Sequence, residues 1–262
     1  MNTKINLAGV ELKNPVMTAS GTFGSGMEYS EFVDLNKLGA VVTKGVANVP
    51  WPGNPTPRIA ETYGGMINAI GLQNPGIDVF CERDIPFLKK YDTKIIVNVC
   101  GKSERDYVEV VERLAGEPVD MLEINISCPN VKEGGIAFGQ NAANIEHITK
   151  AIKNVAKQPV IMKLSPNVTD ITEMAKAAEA GGADVLSLIN TITGMKIDIN
   201  RQTFAVANKT GGLSGPAVKP VAVRMVYQVA NAVKIPIIGM GGIATAEDAL
   251  EFILAGATAV SI

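Results

Sequence analysis

Short runs of β-branched and aliphatic residues recur along the chain, and each is followed by a stretch whose apolar residues return every three or four positions. Residues 15–19, 40–43, 95–99, 121–126, 160–164, 185–189, 237–240 and 259–262 read as strands. Between them lie amphipathic helices, such as the one that places Tyr107, Val110, Val111 and Leu114 on one face. Capping-box spacing marks several helix starts: Ser103 with Asp106, Asp170 with Glu173, and Thr245 with Asp248. Strands that are apolar throughout, each followed by a helix, predict a parallel sheet covered on both faces. Eight such units in 262 residues predict a (β/α)8 TIM barrel occupying residues 1–262 as one domain. Ahead of the first strand, residues 5–7 and 10–12 flank Ala8-Gly9 as a small hairpin, placed to plug the N-terminal end of the barrel. Two connections, 46–75 and 191–218, are too long for turns and read as functional loops at the C-terminal face. The sequence ends at Ile262 inside the eighth strand, so the expected barrel is truncated there, with its last helix missing.

Composition narrows the picture. Hydrophobic residues make up 47% but aromatics only 5%, which suits parallel strands packed by Val, Ile and Ala. A formal charge of −2 provides no basic footprint, so nucleic acid is not an expected partner. No apolar run approaches the roughly 18 residues of a membrane span, and residues 1–20 lack the apolar core of a signal peptide. Cys81, Cys100 and Cys128 are spaced neither as a disulfide framework nor as a zinc site, so a reducing, cytoplasmic setting is expected. His147, the one histidine, falls on a predicted outer helix at 144–156 and is expected to face solvent.

The chemistry concentrates at strand ends. Ser20, Lys44, Asn98, Asn125, Lys163, Asn190 and the pair Gly241-Gly242 all follow apolar strands, on the rim where barrels of this kind carry their active sites. A single strand-end Asn serves equally well as a helix cap; so many converging together read as a site. Lys44 and Lys163 have two readings, an ammonium facing an anion or one snorkelling to solvent. Gly239-Met-Gly-Gly-Ile before Thr245 reads as a phosphate cradle at a helix start or as a plain tight turn. Cys128, in a glycine-bearing loop after the fourth strand, reads as a general base or as an inert thiol. Cys81 and Cys100 read as structural.

Asn125-Ile-Ser-Cys-Pro-Asn-Val-Lys-Glu-Gly-Gly-Ile-Ala-Phe-Gly closely resembles the catalytic loop of class 1B dihydroorotate dehydrogenases. Thr18-Ala-Ser-Gly-Thr-Phe, Thr43-Lys-Gly, Asn68-Ala-Ile-Gly-Leu-Gln-Asn-Pro-Gly and Gly239-Met-Gly-Gly-Ile resemble other segments of the same family, so the likeness runs the length of the chain. The resemblance implies FMN at the barrel mouth and oxidation of dihydroorotate to orotate, in pyrimidine biosynthesis. Cys128 would take a proton from C5 as a hydride leaves C6. Lys44, Asn68, Ala69, Ile70, Gly71, Leu72, Asn125, Asn130, Asn190 and Thr191 would hold the substrate. Ser20, Lys44, Gly45, Asn98, Asn125, Lys163, Ile189, Gly215, Gly241 and Gly242 would form the FMN site, with Lys163 offsetting negative charge on the reduced ring. Val131-Lys-Glu-Gly-Gly is similar to the NAD-linked subclass. That implies a partner subunit carrying FAD and a 2Fe-2S cluster, with a homodimer of this chain inside a heterotetramer. The family continues beyond the eighth strand with a Gly-Thr pair on the FMN phosphate and a final helix. Rival readings are a flavin barrel acting on uracil or thymine, of the dihydropyrimidine dehydrogenase type, and a fumarate-linked class 1A enzyme. A Schiff-base aldolase using Lys163 and a non-enzymatic FMN or partner binder are the remaining alternatives.

Overall fold

The computed structural model describes residues 3–127 and 139–262. Eight parallel strands close into a barrel in chain order: β3 (Val16–Met17), β4 (Ala40–Val42), β7 (Lys94–Val99), β8 (Met121–Asn125), β9 (Val160–Lys163), β10 (Val185–Leu188), β15 (Ile237–Met240) and β16 (Ala259–Ser261). All eight strands predicted from sequence are present. Most stop a residue or two short of the predicted ends, because the last residues turn away from the ladder into the loops above it.

Side chains alternate along these strands as a closed sheet requires. Val41, Val97, Leu122, Ile124, Met162, Leu186 and Val260 belong to the larger core between barrel and helices. Met17, Ala40, Val42, Ile96, Met121, Ile161, Val185, Ile238 and Ala259 form a separate cluster, the lumen. Leu7 and Leu12, from the hairpin of β1 (Ile5–Leu7) and β2 (Val10–Leu12), are fully buried in that same lumen cluster. The hairpin therefore closes the bottom of the barrel, and burying each leucine there contributes about 1.5–3 kcal/mol.

The outer helices include Glu104–Leu114, Ala142–Val155, Ile171–Ala180, Lys219–Ala230 and Ala246–Leu254. Ser103 with Asp106 and Thr245 with Asp248 form reciprocal capping boxes. Asp170 also caps its helix, but through Thr172, with no return bond from Glu173. The helix carrying His147 starts at Ala142, where the Asn141 side chain caps Asn144. His147 is exposed, with Nε2 2.7 Å from Glu104 Oε2.

The two long connections are not simple loops. Each contributes a pair of strands to a four-stranded antiparallel sheet ordered β11 (Ile192–Met195), β14 (Thr210–Ser214), β6 (Gly65–Asn68) and β5 (Ile59–Thr62). Gly212 pairs with Asn68, and Ser214 with Met66. Glycine-rich strands of this kind carry little alternation of their own, and pairing between segments more than 120 residues apart leaves no local signal. The small hairpin of β12 (Ile197–Asp198) and β13 (Thr203–Phe204), between β11 and β14 in the chain, forms a two-stranded sheet of its own.

Asp248 accepts from Lys219 Nζ at 2.7 Å and from the backbone N–H groups of Ala244 and Thr245, both at 2.9 Å. The Lys219 ammonium, and then those two N–H donors, hold its carboxyl well below the usual carboxylate range. A group whose folded pKa is depressed stabilises the fold above its unfolded pKa and loses that effect as pH falls. Asp248→Asn is expected to lower the thermal midpoint between pH 5 and 8, with the deficit shrinking below about pH 4; scanning calorimetry across that range checks it.

Candidate active site

In six of the eight strands the inward series of lumen side chains changes character near the C-terminal end. Two residues past the apolar Val42, Ile96, Met121, Ile161, Val185 and Ala259 stand Lys44, Asn98, Glu123, Lys163, Ser187 and Ser261. Two residues further along β8 comes Asn125. A polar layer thus rests on the apolar plug, at the end of the barrel where sites of this fold are built.

That layer is a continuous hydrogen-bond network. Lys163, only 5% exposed, donates to Ser20 Oγ at 3.2 Å and to Glu123 Oε1 at 3.4 Å. Glu123 also accepts from Asn98 Nδ2 at 2.6 Å and, on its other oxygen, from Ser187 Oγ at 2.8 Å. Asn98 Oδ1 accepts from Asn125 Nδ2 at 3.3 Å. Asn125 Oδ1 accepts from Ser127 Oγ at 3.2 Å and from Asn190 Nδ2 at 3.5 Å, and Asn190 donates to Ser127 Oγ at 2.7 Å. The Asn190 side-chain Oδ1 accepts the Thr191 N–H at 2.7 Å. Behind the strand end, the buried Tyr107 hydroxyl donates to the Asn125 carbonyl at 2.8 Å, tying the network to the outer core.

Above the network lie two adjoining cavities of about 590 and 110 Å³ that share Lys163, Asn190 and Thr191 in their walls. The larger is of the size that holds a cofactor or drug-sized molecule. Ile189, Gly215, Gly241 and Gly242 line it, together with Thr62, Met66 and Leu213 from the antiparallel sheet. Ser20, Lys44, Gly45, Asn68, Ile70, Gly71, Leu72 and Asn125 line the smaller. At the far end of the larger cavity the backbone needs glycine. Gly242 has φ +75°, and a Cβ on it would lie 2.7 Å from the Gly215 carbonyl oxygen, while Gly215 itself has φ +103°. Backbone at Gly215 and from Gly241 to Ala244, just ahead of the helices Lys219–Ala230 and Ala246–Leu254, therefore borders the cavity.

Of the residues singled out from sequence, most therefore meet around one space. Two do not line it. Asn98 lies beneath, fully buried, and Ala69 packs with Ile67 and Val206, its N–H on the Arg58 carbonyl at 2.7 Å. Cys128 and Asn130 lie outside the described residues. Cys81 and Cys100 are buried, unbridged thiols, and burial, then Glu117, pushes Cys81 up to about 11. Glu123 and Ser187 are absent from the sequence-based set. Period-two spacing puts Glu123 on the same inward face as Asn125, which was the available signal.

The sequence profile of the family described as dihydroorotate dehydrogenase matches residues 2–262. The chain is 78% identical to the Lachnoclostridium phytofermentans protein named "Dihydroorotate dehydrogenase B (NAD(+)), catalytic subunit", over the whole chain and 87% of that protein. It is 68% identical to the identically named Alkaliphilus metalliredigens protein, with the same coverage. Among solved structures it is similar to the Eimeria tenella DHODH crystallised with ferulenol, with a TM-score of 0.82 and 26% identity, covering all of this chain and 78% of that one.

Gly242→Ala forces a Cβ into the Gly215 carbonyl at a left-handed φ, and is expected to cost about 1–3 kcal/mol in urea denaturation. Gly116, whose added Cβ would meet nothing within 4 Å, is the matched control, and Gly116→Ala is expected to cost nothing comparable.

Proposed function

This chain belongs to the dihydroorotate dehydrogenase family, and on that premise we propose that it oxidises dihydroorotate to orotate in pyrimidine biosynthesis, with FMN as the bound cofactor and NAD as the eventual electron acceptor. The observation that carries this reading is the cavity of about 590 Å³ whose floor is an amide-rich network with one buried lysine and whose far wall is a glycine cradle. The residues fit FMN on both counts. Gly215, Gly241 and Gly242 suit its phosphate, and Lys163 and Asn125, with Asn98 supporting them from beneath, suit a ring with carbonyl and imide edges that becomes negative on reduction. When bound, FMN supplies a hydride acceptor.

The chain's own residues do the rest. Lys44 supplies a cation for the substrate carboxylate at the smaller cavity, which Asn68, Gly71, Leu72, Asn190 and Thr191 also line. Amide side chains there can pair with the flat imide of dihydroorotate by two-way hydrogen bonding. Cys128 is assigned by its motif as the base that takes the C5 proton, with Asn130 beside it in sequence as a substrate contact. A thiol of ordinary pKa, about 8.5, is only a few per cent thiolate at neutral pH, so proton removal by Cys128 should quicken as pH rises through that region.

The relatives are named catalytic subunits, which supports a separate electron-transfer chain, read here as one carrying FAD and a 2Fe-2S cluster in a heterotetramer built on a homodimer of this chain. Unbridged Cys81 and Cys100 suit a cytoplasmic setting where thiols stay reduced. Among the described residues no helix is long and apolar enough to cross a membrane. Lys44 at the smaller cavity favours a carboxylate-bearing substrate over uracil or thymine. The direct test is anaerobic: dihydroorotate should bleach the bound flavin, and uracil-derived dihydropyrimidines should not.

Cys128→Ala is expected to retain flavin while flavin reduction by dihydroorotate slows at least about a hundredfold, as for loss of a general base; stopped-flow absorbance measures it, and near-native reduction would remove Cys128 from the mechanism. Lys44→Ala is expected to weaken orotate binding about ten- to a hundredfold, and more than FMN binding, as for loss of a charged hydrogen-bond donor; parallel titrations of the two ligands read the difference, and equal loss of both would contradict the role.

A further inference from the structure

Among the described residues Glu123 is the one carboxylate in the polar layer, and it is 1% exposed. Replacing a buried ion pair by packed apolar groups is often neutral or stabilising, so stability alone does not account for its presence. Its partners are informative. Lys163, Asn98 and Ser187 all donate to it. A carboxylate only accepts, so Asn98 must turn its NH₂ toward Glu123 and its oxygen toward Asn125. Asn125 must then present its NH₂ to Asn98 and its oxygen to Asn190 and Ser127. Asn190 in turn offers its oxygen to the Thr191 N–H. Every donor in the chain from Thr191 to Glu123 points the same way, and Glu123 is where the series ends.

The same carboxylate faces the Lys163 ammonium. Among the described residues, the partners of that ammonium are Glu123 and Ser20, which leaves one N–H for the cavities it lines. Buried opposite charges act on a nearby site as a pair, since little water screens either of them.

We propose that Glu123 is a positioning residue for the reaction. It holds Lys163 against the floor of the cavity, partly cancels that lysine's charge, and sets the amide orientation of Asn98, Asn125 and Asn190. This rests on the reading of the cavity as a flavin site. Glu123 thereby sets how strongly the pocket favours an anionic, reduced ring.

The test is a double-variant cycle on the FMN-loaded full chain, reading the two-electron reduction equilibrium by dithionite titration against a reference dye. Glu123→Gln keeps the volume and removes the negative charge. It is expected to shift the equilibrium toward reduced flavin about tenfold, roughly 30 mV for a two-electron couple. Lys163→Met should shift it the opposite way, and the double variant should return to within about threefold of the native value. An equilibrium in Glu123→Gln within about twofold of native would overturn the proposal, as would identical values for Lys163→Met and the double variant. Should either single variant not fold, the double variant, which buries no unpaired charge, decides: a value within about threefold of native supports the pairing, and a shift of more than about tenfold toward oxidised flavin overturns it. A native chain that takes up no FMN would defeat the cofactor reading and this inference with it; bound FMN whose equilibrium ignores Glu123 defeats the inference alone.

Discussion

A strand in a closed barrel points every second side chain into a lumen too narrow to hold water among its packed residues. That constraint governs this molecule. At the bottom the inward positions must be apolar and fill the space between them, which Met17, Ile96, Met121, Ile161, Val185 and Ile238 do, with Leu7 and Leu12 sealing the end. Near the top, the same positions can turn polar only if each group finds a partner, because an unpaired buried polar group costs on the order of 1–3 kcal/mol and an unpaired charge more. Asn98, Glu123, Asn125, Lys163 and Ser187 satisfy one another through a single network.

Catalytic potential follows from that stacking. The apolar layer keeps the network above it away from water on one side, so its charges and dipoles act at low local dielectric. The antiparallel sheet of β5, β6, β11 and β14 stands at the barrel mouth and supplies walls that the barrel alone would lack. Between floor and walls, the site offers a cation, oriented amides and a glycine cradle. That is a small polar set in a concave pocket, the usual make-up of a cofactor site. The exposed His147–Glu104 pair and the buried Cys81 thiol are not among the described residues that line it.

How much of this was legible beforehand differs from one element to the next. The barrel was readable because its signals are local: β-branched runs, 3.6-residue periodicity, and the caps at Ser103 and Thr245. Lys44, Lys163 and the strand-end asparagines were readable because a polar residue at the end of an apolar run stands out in one dimension. Glu123 was not picked out, since it lies inside the run. Its partners sit 25, 40 and 64 residues away in sequence, so nothing nearby marks it as paired. The antiparallel sheet was missed for a related reason, its strands being short, glycine-bearing and paired across the chain.

By itself, the sequence determined the period of each element, the apolar character of the lumen and the identity of the chemical groups at the rim, because these depend on residues within a turn or a strand of one another. Only the tertiary structure decided which of those groups touch. It joined Lys163 to Glu123 and Ser20, directed the asparagine amides one way, stacked Gly242 on Gly215, and turned two apparent loops into a wall. Contacts of that kind are settled by barrel closure, which brings distant strand ends to within hydrogen-bond reach, and no local pattern encodes them.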